Sequence, residues 1–188
     1  MIATRIAVTS DIDGILDLQS VNLYTNLSDA ERLEGFVTTP FTPDQIRSLI
    51  AQTGVFVAEQ EGKIDGYIFA GSWQFFSQWE IFPFMVSRFP NLSFQGKQIT
   101  VENTFQYGPI CIDRRLRGSG VFLQLFETMR SNFSTRFPMG VTFINRLNQR
   151  SFEAHTRKLN LEAIDRFDFN HHSFYSLAFL TKDYNEQD

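Results

Sequence analysis

The stretch from Tyr107 to Phe133 constrains the fold of this chain more than any other part of the sequence. It opens with YGPICID, a run typical of a strand, and closes with apolar residues at spacings of three and four, which are typical of a helix. Between the two lies RRLRGSG, with three arginines and two glycines. The pattern predicts a strand, a tight turn and a helix from about Ser119 to Phe133. The apolar face of that helix comprises Val121, Phe122, Leu125, Phe126, Met129 and Phe133.

The turn itself has the features of an anion site. Gly118 and Gly120 can adopt backbone angles that other residues avoid, so that successive N–H groups converge on one point. The helix that follows adds unpaired N–H groups, and Arg115 and Arg117 add full charges nearby. These features together suit a pyrophosphate. A Rossmann fingerprint would need a third glycine at Leu123, and a Walker A loop would need Gly-Lys followed by Ser or Thr, so both are disfavoured.

Length and composition limit the classes of protein that this chain can belong to. Its 188 residues, 43% of them hydrophobic, are enough for a substantial core, and we expect a single domain over residues 1–188. A net charge of −4 argues against bulk electrostatic binding to nucleic acid or an anionic membrane. The single cysteine, Cys111, excludes an internal disulfide, and no apolar run approaches the roughly 20 residues of a bilayer span. We expect a cytoplasmic protein.

The N-terminal third alternates between strand and helix patterns. Thr4 to Thr9 predicts a strand, after which Ser10 begins a helix whose apolar face we place at Ile12, Leu16 and Leu23. A second helix starts with the capping sequence TPDQ at residues 42–45. Its buried residues are predicted to be Ile46, Leu49 and Ile50. A β-hairpin with strands at 55–58 and 64–70 follows.

The C-terminal part repeats this alternation. Met139 to Asn145 predicts a buried strand, Asn148 to Leu159 a polar helix, and Leu161 to Thr181 two closing strands around the sequence FNHH. His171 and His172 do not suggest a metal site, because adjacent strand residues point to opposite faces and no further ligands accompany them. The whole order predicts an α/β (α+β) fold with a mixed central sheet.

The chain contains 21 phenylalanines, and aromatic residues are densest between Trp73 and Phe94. Such a density is unusual for a loop that faces solvent. The segment from Trp73 to Gln98 is therefore interpreted as an insertion that lines a pocket, forms a partner surface such as a homodimer interface, or supplies an extra core helix.

Two motifs resemble those of the GNAT superfamily of acyl-CoA-dependent N-acetyltransferases. Arg115-x-x-Gly118-x-Gly120, following a strand, resembles the family's Gln/Arg-x-x-Gly-x-Gly/Ala signature. The segment from Asn145 to His155 resembles its later Asn-x-x-Ala/Ser segment. The resemblance covers essentially the whole chain, with residues 73–98 as the least familiar part. It implies a sheet of about seven strands flanked by helices and splayed between the fourth and fifth, here between Ile112 and Val141.

The resemblance also implies acetyl-CoA as the acyl donor. Its pyrophosphate would be held by the turn, at Arg115, Arg117, Gly118, Ser119, Gly120, Val121 and Phe122. Strand residues Ile110, Cys111 and Ile112 would pair with the pantetheine arm, and Asn148 matches the family asparagine beside it.

Transfer to a primary amine of a small molecule or protein would proceed by direct attack. A lysine-like amine of pKa about 10.4 must first lose its proton, at a cost of about 4 to 5 kcal/mol at neutral pH, so a base is expected. The candidates are Glu102, Tyr107 and Glu80. For the acid that protonates the thiolate, His155 is the candidate, with Thr156 or water as alternatives, since the family's usual tyrosine is absent from that helix.

A second class of function stays open at this level. The same fold could serve as a non-catalytic module that binds acyl-CoA and docks a partner, because the position of the acid does not match the family pattern. Segments 26–41 and 73–94 are expected to form the acceptor side of an enzyme, and their aromatic content favours a hydrophobic or flat amine.

Overall fold

The computed structural model describes residues 2–182. The helices are α1 (Ile12–Ser20), α2 (Asp29–Arg32), α3 (Pro43–Ala51), α4 (Trp73–Phe76), α5 (Ile81–Arg88), α6 (Val121–Phe133) and α7 (Gln149–Lys158). The strands are β1 (Ala3–Ile6), β2 (Val55–Gln60), β3 (Lys63–Gly71), β4 (Ser93–Phe94), β5 (Lys97–Gln98), β6 (Thr104–Ile112), β7 (Met139–Asn145), β8 (Glu162–Phe169) and β9 (His172–Leu180). Among the described residues, no helix combines the length and the apolar character needed to cross a bilayer.

The central sheet has seven strands in the order β1-β2-β3-β6-β7-β9-β8, while β4 pairs with β5 in a separate hairpin. It is mixed, because β6 and β7 run parallel whereas β1–β2, β2–β3, β7–β9 and β8–β9 are antiparallel. The predicted mixed sheet of about seven strands flanked by helices is thus confirmed. The fourth and fifth strands of the prediction correspond to β6 and β7.

Within the described chain, residues 2–70 and 108–129 form one compact unit, and residues 71–107 and 130–182 form a second. We call these the first and second unit. The expectation of a single domain stays a prediction. The expected gap between Ile112 and Val141 also stays a prediction, because Ile112 belongs to the first unit and Val141 to the second.

The first unit contains the predicted hairpin and the capping box of α3, in which Thr42 Oγ1 accepts a hydrogen bond from the N–H of Gln45. Of the apolar face predicted for α1, Ile12 is confirmed, whereas Leu16 and Leu23 are wrong. Its buried residues are Ile12, Ile15, Leu18 and Gln19. The sequence is compatible with two different apolar faces, because residues 15 and 16 are both apolar. Leu23 lies beyond the end of the helix.

The first strand is also shorter than predicted, and it ends at Ile6. Residues 9–11 turn instead, because the Asp11 carboxylate accepts a hydrogen bond from the N–H of Val8 at 2.8 Å and binds Arg5 at 2.7 Å. The predicted sequence of elements nevertheless holds from this strand to β3.

The second unit has an aromatic core supplied by the insertion. Trp73, Phe76, Phe82 and Phe89 are each at most 4% exposed. Trp73 packs edge-on against Phe89, and Phe76 lies 4.9 Å from Phe82 between ring centroids. The Trp73 indole N–H donates to Thr104 Oγ1 at 2.9 Å and ties the segment to β6. Of the three interpretations of this segment, the core interpretation is the one that these contacts support.

Gly140 on β7 marks where this core is tightest. It is paired with Phe105 on β6 and with Phe179 on β9. A Cβ atom at position 140 would collide with the ring of Phe179 and lie 2.9 Å from Phe105 Cζ. Only glycine leaves room for both rings over the β7 backbone.

Candidate functional site

The turn after β6 has the backbone geometry that the sequence predicts. Gly118 and Gly120 adopt φ of +87° and +91°, which L side chains rarely reach. The first helical hydrogen bond runs from the N–H of Gln124 to the carbonyl of Gly120. The helix α6 therefore begins at Val121, two residues later than predicted, because the left-handed backbone of Gly120 precedes it.

The N–H groups of the turn are not all available to a ligand. Arg117 donates its N–H to the carbonyl of Arg114 at 3.3 Å, and Ser119 donates to the carbonyl of Leu116 at 3.2 Å. Within residues 2–182, no acceptor takes a hydrogen bond from the N–H groups of Gly118, Gly120 or Val121. Such unpaired donors are normal at a helix N-terminus, where they bind anions. The N–H groups that the turn can offer to an anion are therefore those of Gly118, Gly120 and Val121, and the pyrophosphate site itself stays a prediction.

The charge of Arg115 is already offset by two carboxylates. Its guanidinium contacts Asp113 at 3.0 Å and Asp65 at 3.1 Å, and Lys63 contacts Asp65 at 3.1 Å as well. Arg115 beside Asp113 lowers the pKa of that carboxyl to about 2. Asp113 thus stays ionised and holds the guanidinium at the start of the turn.

Arg117 is bound by the segment from Asn22 to Glu34. Its guanidinium donates to the carbonyl of Glu34, to Asn22 Oδ1 at 3.3 Å and to the carbonyl of Ile112 at 3.4 Å. Arg114 lies 3.5 Å from Glu31 in the same segment. The arginines therefore bind protein groups, and the N–H groups of the backbone are the part of the turn left for an anion.

The strand end before the turn is partly buried. Cys111 is 4% exposed, and burial raises the pKa of its thiol to about 12. A thiol with that pKa is not a nucleophile at neutral pH. Ile112 is buried beside it, whereas Ile110 is half-buried.

Two of the predicted catalytic residues, Tyr107 and His155, form a direct pair in the second unit. Tyr107 Oη lies 3.0 Å from His155 Nε2, and both side chains are buried. His155 Nδ1 lies 2.7 Å from the carbonyl of Ser151, which can only accept, so Nδ1 carries the hydrogen and Nε2 accepts from Tyr107. The sequence proposed the two residues separately and did not predict this contact.

Burial fixes the protonation of this pair. Desolvation lowers the pKa of His155 from 6.5 to about 4, so the ring is neutral at pH 7. Desolvation also raises the pKa of Tyr107 well above its usual range. At neutral pH the proton between the two side chains therefore belongs to Tyr107, and His155 is an acceptor.

The remaining predicted site residues lie apart from the pair or are used locally. Glu102 and Glu80 are exposed, the first in the turn before β6 and the second at the start of α5. Asn148 is the N-cap of α7, where its Oδ1 accepts from the N–H of Ser151 at 3.2 Å. Thr156 donates to the carbonyl of Phe152. Among residues 2–182, no three His, Cys, Asp or Glu side chains come together as a metal site.

One polar residue next to this pair has no counterpart in the sequence predictions. Gln106 precedes Tyr107 on β6 and is 1% exposed, and its Oε1 has no partner among the described residues. No sequence pattern could reveal it, because whether a buried amide is paired depends on neighbours that are distant along the chain.

No family model and no curated protein matches this sequence. Solved structures, by contrast, resemble it over nearly their whole length. An N-acetyltransferase from Staphylococcus aureus Mu50 is 17% identical, with a TM-score of 0.62 over 97% of this chain and 99% of that chain. For yncA from Salmonella typhimurium, solved with its cofactor acetyl-CoA, identity is 14% and the TM-score 0.65 over 100% and 98%.

The ribosomal-protein-S18-alanine N-acetyltransferase of Escherichia coli is 12% identical, with a TM-score of 0.60 over 100% of this chain and 98% of that chain. All three structures share the architecture of this chain at identities of 12 to 17%. The predicted GNAT fold is confirmed: this chain has the fold of the GNAT acetyltransferases.

Proposed function

We propose that this chain is a cytoplasmic N-acetyltransferase that moves the acetyl group of acetyl-CoA to a primary amine. The observation that carries the proposal is the turn before α6, where Gly118, Gly120 and Val121 present unengaged N–H groups beside a helix N-terminus. In a GNAT fold, a turn with this sequence and backbone suits the pyrophosphate of the acyl donor. The lone buried cysteine is consistent with a reducing compartment.

The residues of the turn fit a diphosphate better through backbone than through side chains. The N–H groups of Gly118, Gly120 and Val121 would hold its oxygens, with the positive end of α6 adding to the attraction. Arg115 and Arg117 are bound by protein groups, so their contribution is to fix the shape of the turn. Acetyl-CoA supplies the activated thioester when it is bound.

Tyr107 and His155 are the groups that we propose for handling protons. The neutral His155 ring holds the Tyr107 hydroxyl in one orientation, and that hydroxyl carries the proton at neutral pH. Of the two groups that share the hydrogen bond, only Tyr107 has a proton there to give to a thiolate leaving group, because Nε2 of His155 has none, and the raised pKa of Tyr107 makes it a weak acid for that step. Glu102, exposed in the turn before β6, is the proposed base that accepts a proton from the incoming amine.

A second candidate is a non-catalytic acyl-CoA-binding module. The complete burial of Tyr107 favours it, because a buried tyrosine bound to a histidine also serves as a structural pair. In that case the buried aromatic side chains would stabilise a domain that binds acyl-CoA without catalysing a transfer.

The two candidates differ in turnover. We expect acetyl-CoA to raise the melting temperature of the wild type and CoA to be released when a panel of aryl and alkyl amines or N-terminal peptides is added. Tyr107→Phe should keep the stabilisation by acetyl-CoA and slow CoA release at least tenfold, since it removes only the hydroxyl. Stabilisation without release from any amine would favour the module, and absence of stabilisation would remove the acyl-CoA assignment.

A further inference from the structure

The amide of Gln106 is paired at one end only. Its Nε2 donates to the carbonyl of Tyr107 at 2.8 Å. Because a carbonyl can only accept, the nitrogen must face it and the side-chain oxygen must be the other end. That Oε1 atom is buried and has no hydrogen-bond partner in the part of the chain that the structure describes.

The same chain contains a buried glutamine that is fully paired. Gln19 is 5% exposed, its Nε2 donates to the carbonyl of Phe41 at 3.0 Å, and its Oε1 accepts from the N–H of Phe41 at 2.8 Å. Buried polar atoms are paired in the great majority of native structures, so an orphan acceptor calls for a partner outside the chain. Gln106, unlike Gln19, has a buried acceptor atom, Oε1, without a partner among the described residues.

The position of Gln106 on β6 shows on which face of the sheet its side chain lies. Successive strand residues point to opposite faces. Tyr107 points towards His155 on α7, whereas Thr104, two residues before Gln106, accepts the indole N–H of Trp73. Gln106 therefore lies on the face that the aromatic segment covers. It is also the last residue of β6 with a registered partner, Val141, on β7.

We propose that Gln106 Oε1 binds an N–H group of a substrate. This rests on the proposed function and adds a substrate contact to it. An amide oxygen is neutral, so it accepts from an amide or an uncharged amine without holding an ammonium ion as a carboxylate does. The N–H can come from the acceptor amine or from an amide of the pantetheine arm of CoA. The aromatic face around Gln106 suits an uncharged donor in either case.

The test replaces Gln106 with methionine, which keeps the length of the side chain and removes both polar ends. CoA and adenosine 3′,5′-bisphosphate, which lacks the pantetheine arm, serve as probes in calorimetry. If the arm supplies the N–H, Gln106→Met weakens CoA binding about tenfold and leaves the bisphosphate unaffected. If the amine supplies it, both affinities stay unchanged, and KM rises about tenfold for the amine that the wild type acetylates fastest.

Gln19→Met is the matched control, since it removes a buried amide that already has both partners. It should lower the melting temperature more than Gln106→Met does and leave the affinity for CoA unchanged. Gln106→Asn shortens the side chain by one methylene and so moves the amide away from the ligand. If the methionine variant does not fold, CoA affinity and amine KM are measured on the asparagine variant instead.

Unchanged CoA affinity together with an unchanged amine KM in the folded Gln106 variants would overturn the inference, and would leave a buried water as the partner of Oε1. Failure of the wild type to bind CoA at all would instead remove the proposed function. The two failures are therefore distinguishable.

Discussion

The turn of the first unit and the Tyr107–His155 pair of the second present different chemical groups. The turn presents backbone groups, and the pair presents side chains. In the turn, three backbone N–H groups have no partner among the described residues, and the side chains of Arg115 and Arg117 bind the protein itself. In the pair, two buried side chains that contact each other are the groups proposed to handle protons. The first kind of site depends on φ angles and the second on desolvation. Mutation and pH should therefore affect the two sites in different ways.

The largest expected effect concerns the backbone of the turn. Gly120→Val should weaken CoA binding at least a hundredfold, because a β-branched residue strains the left-handed conformation at φ +91° and re-aims the neighbouring N–H groups. Isothermal calorimetry with CoA measures this directly.

Gly62→Val is the control for Gly120→Val. Gly62 has φ +80°, no atom within 4 Å of an added Cβ, and a place in the β2–β3 turn of the same unit. Its variant should lose stability through the same strain and keep its CoA affinity. Equal CoA affinities in Gly120→Val and Gly62→Val would contradict the specific role of Gly120 in CoA binding.

The second effect concerns the pair, and it is a dependence of stability on pH. A histidine titrates near 6.5 in the unfolded chain and His155 near 4 in the folded protein, so the unfolded state binds more protons between these values. The free energy of unfolding should therefore fall as pH decreases from 6.5 to 4, by up to about 3 kcal/mol. Urea denaturation across this range measures the slope.

His155→Leu should flatten that slope, whatever its effect on stability at neutral pH. Asp11, Asp113 and Glu31, whose pKa values are also lowered in the folded protein, add a slope of the same sign at the acidic end of this range, but they do so equally in the wild type and in the leucine variant. His171 and His172 are exposed. Identical slopes in the wild type and the leucine variant would show that burial does not hold His155 neutral.

The smallest effect separates two arginines of the turn. Arg117→Met should cost about 1 to 2 kcal/mol and speed amide exchange over residues 22–34, because it removes three hydrogen bonds to that segment and to β6. Arg114→Met should cost less than about 0.5 kcal/mol, since its contact with Glu31 is long and exposed. Equal exchange rates in the two variants would contradict the role given to Arg117.

The turn at Gly118 and Gly120 and the helix that follows it could be predicted from the sequence because their signals are local. Gly118, Gly120 and the periodicity of α6 lie within twenty residues, and they specify a turn before a helix without any tertiary contact. The strand β7 and the capping box at Thr42 were predicted for the same reason. The charges of the turn were interpreted less well. Whether an arginine faces a ligand or a protein group depends on the carboxylate of Asp65 and the backbone carbonyl of Glu34, which are far away along the chain.

The side-chain site could be predicted only in part. Tyr107 and His155 were proposed for their chemistry, but 48 residues separate them, and only the fold brings Oη to Nε2. The low pKa of His155 depends on desolvation, which no local pattern reports. Gln106 was missed because its distinction is an atom without a partner.

The narrow space at Gly140 has an evolutionary consequence. Positions 105 and 179 can keep their phenylalanines only while position 140 lacks a side chain, so an exchange at 140 requires a smaller neighbour first. Distant relatives should therefore vary at these three positions together, and a profile that scores them jointly would find homologues that single-column matching passes over.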